Sequence, residues 1–131
     1  MKPHQLIGLP YRLGAEPEKH HAVDCLTLTI SVLNFYGIKF LKREKEWYRR
    51  YLRKDFSIFK EVFDKWGNET KDINIGTVAI VNKKEGFALA VYYEGGFLIC
   101  QDPMVRWTPQ ETLAVEKYYC PQKSNYVKLL E

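Results

Sequence analysis

Asp24 and Cys25 are the residues of this chain that are best placed for chemistry. They end a segment rich in glycine and proline, and an apolar-rich run follows from Cys25 to Gly37. An acidic residue just before a helix caps it, and the unpaired amide hydrogens of the first helical turn favour the thiolate of a neighbouring cysteine. Such a thiolate reacts with carbonyl carbons when a general base stands beside it. The pair therefore predicts nucleophilic catalysis by a cysteine.

The side chains that could serve Cys25 as a base are few, because all three histidines lie near the start of the chain. His20 and His21 precede Cys25 by five and four residues, so a curled loop would bring one ring within hydrogen-bond reach. Their neighbours, a proline and several charged residues, favour solvent exposure instead, and His4 belongs to a terminal arm. Two interpretations of Cys25 remain open: an activated nucleophile, and an inert cysteine buried at the start of a helix.

The chain has 131 residues and a formal net charge of +4. This length predicts one domain, residues 1–131, and the mild charge does not demand a polyanionic partner. Its three cysteines are irregularly spaced and lack paired motifs, so we expect neither a disulfide framework nor a metal site, and no cofactor. No basic-then-apolar leader and no long apolar run is present, so we expect no signal peptide and no membrane insertion.

The elements that would position Cys25 are ambiguous from the local pattern. Residues 1–24 read as an irregular arm, because three prolines each remove an amide donor. After Cys25, the alternation of apolar residues favours a strand. The capping position of Asp24 and the stop at Gly37 favour a helix. Both possibilities stay open at this level.

A basic stretch follows, with the sequence KFLKREKEWYRRYLRK between residues 39 and 54. Aromatic rings among arginines can stack on nucleic-acid bases beside phosphate contacts, which gives a nucleic-acid-binding hypothesis. The residues that would do so are Trp47, Tyr51, Arg49, Arg50 and Arg53. The mixed charges favour instead a solvated helix whose aromatic residues pack inward, so a nucleic-acid partner is not expected.

The remaining elements divide the chain into two halves. Aromatic residues at helical spacing predict a second helix from Phe56 to Trp66, which completes a helical half over residues 25–67. After a polar link, strands are predicted at 77–81, 86–93, 97–100 and 105–107, then a short helix at 109–115 and a final strand ended by Pro121. With this stranded half over residues 76–121, the fold class is α+β.

Between Gly8 and Ile38 the chain resembles the NlpC-type cell-wall cysteine peptidases, a papain-like family. The opening motif of that family reads approximately G-x-P-Y-x-x-G-G, followed by D-C-S-G-L and a helix ending G-I. The residues of this chain that match the motif are Gly8, Pro10, Tyr11, Gly14, Asp24, Cys25, Gly37 and Ile38. The family's second block, H-V-G-I-Y and a glycine-rich turn, is similar to residues 88–96. The chain's ending, VRW-x-P…YYCP, is similar to the branch found in bacteriophage tails.

The resemblance implies N-terminal helices packed on a C-terminal antiparallel sheet, and it selects a helix over residues 25–36. It also implies that Cys25 is the nucleophile, that Asp24 caps its helix and that Tyr11 places a hydroxyl near the sulfur. The implied activity is hydrolysis of cell-wall peptides through a cysteine acyl-enzyme.

The chain departs from the family's pattern at the position of the general base. The histidine position of the family aligns with Ala88, and the residue that would orient the base falls near Ile99 or Cys100. The substrate pocket implied by the same alignment includes Ala88, Tyr92 and Cys100. A cysteine without a base keeps only a small thiolate fraction near neutral pH.

Two functions are therefore expected from the sequence. One is a peptidase that acts on cell-wall peptide. Its general base would be a loop histidine, or the native residue at position 88 if Ala88 is an engineered substitution. The other is a non-catalytic module that binds a phage tail or assembly protein. The absent leader fits a cytoplasmic or virion-associated protein of phage origin.

Overall fold

A computed structural model describes residues 1–84, 86–101 and 103–127, so the expected domain end at residue 131 lies outside the described residues. Five helices are found in the described chain: α1 (Pro3–Leu6), α2 (Pro17–His20), α3 (Cys25–Phe35), α4 (Lys45–Leu52) and α5 (Ser57–Trp66). The strands are β1 (Gly67–Thr70), β2 (Val78–Lys83), β3 (Gly86–Tyr93), β4 (Gly96–Gln101), β5 (Met104–Thr108) and β6 (Val115–Pro121). The predicted α+β class is confirmed.

All six strands form one antiparallel sheet in the order β1-β6-β2-β3-β4-β5. Strands β2 to β5 follow one another as hairpins, and β6 returns to lie between β1 and β2. The N-terminal arm runs beside β5, where the Tyr11 amide donates to the Pro103 carbonyl at 3.0 Å. A further bridge joins Tyr11 to Val23 just before α3. The arm is thereby fixed next to the start of α3.

Helix α3 resolves the ambiguity between strand and helix in favour of the helix. The Thr27 amide donates to Asp24 Oδ1 at 2.8 Å, and the Asp24 amide donates to Thr27 Oγ1 at 2.9 Å, so a capping box starts the helix. The helix ends at Gly37, whose φ of +74° is the left-handed conformation that glycine adopts without strain. Because α3 is buried on several sides, its apolar residues need not follow one helical stripe.

Two hydrophobic clusters lie on opposite faces of the sheet. Helices α3 and α5 cover one face, and β3 contributes Leu89 and Val91 to that cluster. The intervening residues Ala88 and Ala90 face the second cluster, with Phe97 and others. Side chains alternate between the two faces of a strand, so neighbouring residues of β3 belong to different cores. This alternation decides what stands opposite Cys25.

Three expectations about secondary structure are wrong. The arm is not wholly irregular, because α1 and α2 are single turns that start at Pro3 and Pro17, where a missing amide costs nothing. Gly67, expected at the end of the helical half, and residues 68–70, expected within the polar link, form β1 through their pairing with β6. The short helix at 109–115 is a 3₁₀ turn over Gln110–Thr112, after which β6 begins.

In the part of the chain that the structure describes, no helix combines the length and apolar character needed to cross a membrane.

Candidate functional site

Cys25 is the first residue of α3, and its side chain is 9% exposed. Burial raises the pKa of its thiol to about 12, and the negative charge of Asp24 adds to the increase. Hydrogen bonds from backbone amides, the one of Leu89 foremost, oppose this but do not outweigh it. The thiol is therefore neutral at physiological pH, although it lies at a helix start.

A narrow cavity of about 40 Å³ lies beside Cys25. A cavity needs at least about 10–15 Å³ of such space to hold one water molecule, so this one has room for a few. Its walls come from the arm, the start of α3, α4, α5 and β3. They are formed by Tyr11, Leu13, Asp24, Cys25, Leu26, Trp47, Tyr48, Tyr51, Ile58, Phe59, Val62, Phe63 and Leu89. This lining is mostly aliphatic and aromatic.

The structure brings Tyr11 to this cavity, where it meets Tyr51 of α4. Burial raises the pKa of Tyr11, and the neighbouring Tyr51 and Cys25 act in the same direction. Burial also raises the pKa of Tyr51, while a hydrogen bond with Tyr11 opposes the increase. Both phenols are consequently neutral and can donate a hydrogen bond beside the sulfur, but neither accepts a proton from a thiol at neutral pH.

Asp24 is 1% exposed, and its carboxylate is used for structure. Its Oδ1 accepts the hydrogen bond from the Thr27 amide, and its Oδ2 accepts one from the Gly14 amide at 2.7 Å. Burial and the Asp24 charge raise the pKa of Tyr48, whose hydroxyl accepts a hydrogen bond from Arg43 Nη1 at 2.9 Å. Arg43 also pairs with Glu16 at 3.2 Å. Asp24 therefore ties the arm, α3 and α4 together.

His20 and His21, the candidate bases from the loop, are not brought to Cys25. His20 is exposed, and its Nδ1 accepts the Glu16 amide at 2.9 Å. His21 is exposed too, in a left-handed conformation at the end of α2. His4 is an exposed residue of α1. The walls of the Cys25 cavity include no histidine among the described residues.

Of the three residues expected in the substrate pocket, Ala88 and Tyr92 lie on the far face of the sheet. Leu89 takes the place opposite Cys25, because a shift of one residue along a strand moves a side chain to the other face. Cys100 lies on the same face as Cys25, and its Sγ donates to the Val23 carbonyl at 3.5 Å.

Sequence reasoning missed three residues of this site: Leu89, Tyr48 and Tyr51. The tyrosines lie in the basic stretch and carry a helical spacing that predicts an inward face, but nothing in the sequence says that this face meets Cys25. Leu89 is identified only once the faces of β3 are known.

The described residues hold no group of three or more His, Cys, Asp or Glu side chains that would bind a metal ion.

A scan against models of known protein families finds no match for this chain. A search of curated proteins likewise finds no relative with significant similarity. The function is therefore argued from the site itself.

Proposed function

We propose that this chain is a non-catalytic, papain-like module of the NlpC type, derived from a phage cell-wall peptidase, that binds a phage tail or assembly protein. The relationship is supported by the arrangement of its motif residues. Asp24 caps a buried helix, Cys25 starts it on an antiparallel sheet, and Tyr11 lines the same cavity as Cys25.

The loss of catalysis rests on one observation: an aliphatic side chain, Leu89, stands opposite Cys25 where a base is needed. Because burial raises the pKa of the thiol to about 12, the thiol form predominates strongly at pH 7. While α4 covers the site, the cavity of about 40 Å³ also leaves no room for a peptide beside the sulfur.

The first experiment compares the wild-type cysteines. We expect iodoacetamide at about pH 7.5 to modify the half-exposed Cys120 before Cys25, because alkylation needs a solvent-accessible thiolate. No release of product from cell-wall peptides is expected. Preferential modification of Cys25, together with hydrolysis that Cys25→Ala abolishes, would show a working peptidase.

A pair of variants tests the ancestral geometry. Leu89→His puts an imidazole on the Cys25 side of β3, whereas Ala88→His, the matched control, puts it on the opposite face. A neighbouring imidazolium stabilises a thiolate, so we expect Leu89→His alone to increase the alkylation rate of Cys25 about tenfold or more. Circular dichroism confirms that both variants are folded. Equal rates in two folded variants would argue against a cysteine-peptidase ancestry.

A further inference from the structure

Helix α4 covers the Cys25 cavity, yet none of its eight residues is buried. Trp47, Tyr48 and Tyr51 line the cavity from this side. By contrast, α3 and α5 each bury five or more residues. Elements with little buried apolar surface open at lower free energy than the core elements around them.

Both ends of α4 are suited to act as hinges. Before it, residues 39–44 form no helix or strand. After it, Lys54 has a φ of +61°, a left-handed conformation that is unfavourable for a residue with a β-carbon. Hinge motions are absorbed by a few residues at the ends of elements, through changes in φ and ψ.

Arg50 supplies the polar contacts between α4 and the start of α5, beside the ring contacts that Tyr51 makes with Phe56 and Phe59. Its Nε donates to Asp55 Oδ2 at 2.7 Å, and its Nη2 donates to Ser57 Oγ at 3.1 Å and to Glu61. Its neighbour Arg49 pairs only within α4, with Glu46 at 3.5 Å. The two arginines have the same side chain and lie in the same helix, but Arg50 contacts residues beyond α4, whereas Arg49 contacts a residue within α4.

We propose that α4 is a lid that opens as a unit and uncovers an apolar groove with Cys25 at its end. The groove is floored by Ile58, Phe59 and Val62 of α5 and by Leu89 of β3. Trp47 and Tyr51 fill the groove in the closed form. Arg50 holds α4 closed together with the hydrogen bonds of Tyr48 with Asp24 and of Tyr51 with Tyr11. The lid controls when Cys25 meets solvent, independently of whether Cys25 is catalytic.

The test uses the two buried cysteines as reporters. The wild-type protein is treated with 4,4′-dithiodipyridine at about pH 8 and low urea concentrations, and modification of each cysteine is followed by peptide mass spectrometry. Lid opening hydrates Cys25 but leaves Cys100 buried against the sheet, so we expect Cys25 to react about tenfold faster or more, with a shallow urea dependence. Equal rates with the same steep urea dependence would mean that only global unfolding exposes Cys25, and would overturn the lid.

Two arginine variants test whether Arg50 holds α4 in the closed form. Arg50→Ala removes contacts that exist only while α4 is closed, so it is expected to raise the Cys25 rate about three- to tenfold. Arg49→Ala, the matched control, removes a pair that stays within α4 when the helix opens as a unit, so it should leave the Cys25 rate within about twofold. The Cys100 rate in the same samples reports any change in global stability. The same Cys25 rate in both variants would refute the role of Arg50.

Discussion

The Cys25 thiol is subject to two effects of opposite sign. Amide hydrogens at the start of α3 favour the thiolate, whereas removal from water and the Asp24 carboxylate favour the neutral thiol. Burial prevails because the sulfur faces Leu89 and aromatic rings instead of solvent or a cation. The aspartate that makes a good helix cap thus makes a poor neighbour for a thiolate.

This balance predicts how stability depends on pH. The pKa of Cys25 is raised by folding from about 9 to about 12, so the native state holds its proton more tightly than the unfolded chain. The resulting stabilisation is fully present below about pH 9 and is lost as the pH rises towards 12. We expect the free energy of unfolding in urea to fall more steeply above pH 9 for the wild type than for Cys25→Ala.

The pKa values of Tyr11 and Tyr51 are also raised, mainly by burial and to a smaller extent by Cys25, so Cys25→Ala removes that smaller part together with the thiol. Cys120→Ala is the control, since Cys120 is half-exposed, and it should keep the steep wild-type slope. Parallel slopes in wild type and Cys25→Ala would contradict the burial argument.

At the scale of elements, the sequence predicts those parts of the fold that carry local signals. The helix from Cys25 and the hairpins β2 to β4 follow from caps, glycine turns and runs of apolar residues, together with the family resemblance. Strand β1 carries no such signal, because three of its four residues, Gly67, Asn68 and Glu69, have low strand propensity and pair because β6 lies beside them.

The candidate site likewise contains residues that the sequence predicts and residues that it does not predict. Asp24 and Cys25 are adjacent in sequence and are expected together, and the family resemblance adds Tyr11 to them. The residue opposite the sulfur depends on the register of a distant strand, and an alignment that is shifted by one residue exchanges Leu89 for Ala88. Tyr48 and Tyr51 reach the cavity only through the packing of α4, which no local pattern specifies.

Gly67, the first residue of β1, gives a prediction about the stability of the sheet. Gly67 has extended backbone, but a β-carbon there would lie 2.1 Å from the Cys120 carbonyl oxygen of β6. Gly67→Ala must therefore push two paired strands apart, at a cost of about 1–3 kcal/mol in the free energy of unfolding. Urea titration at neutral pH measures it.

The control is the next residue of the same strand. Asn68 is exposed, so Asn68→Ala should change the free energy of unfolding by no more than about 0.5 kcal/mol. Similar losses in the two variants would show that the close approach at Gly67 relaxes without cost.

Over the whole molecule, the positive charge is less available than the sequence alone indicates. The arginines of α4 and its end are each paired: Arg50 with Asp55 and Glu61, and Arg49 and Arg53 with Glu46. The aromatic residues between them, Trp47 and Tyr51, line the Cys25 cavity and offer no open stacking platform. The basic stretch is thus a charge-paired cover for the groove.

We therefore expect no binding of nucleic acid. A protein that contacts phosphates binds tightly at low salt and loses affinity steeply as salt is added, because counterions are released. For this chain, fluorescence anisotropy of a labelled DNA duplex in about 50 mM salt should show no binding up to about 10 μM protein. Glu46→Gln combined with Glu61→Gln frees Arg49 and Arg53 and leaves Arg50 with Asp55 alone, which should produce weak, salt-sensitive binding. Wild-type binding that salt abolishes would mean that these arginines exchange their carboxylate partners for phosphates.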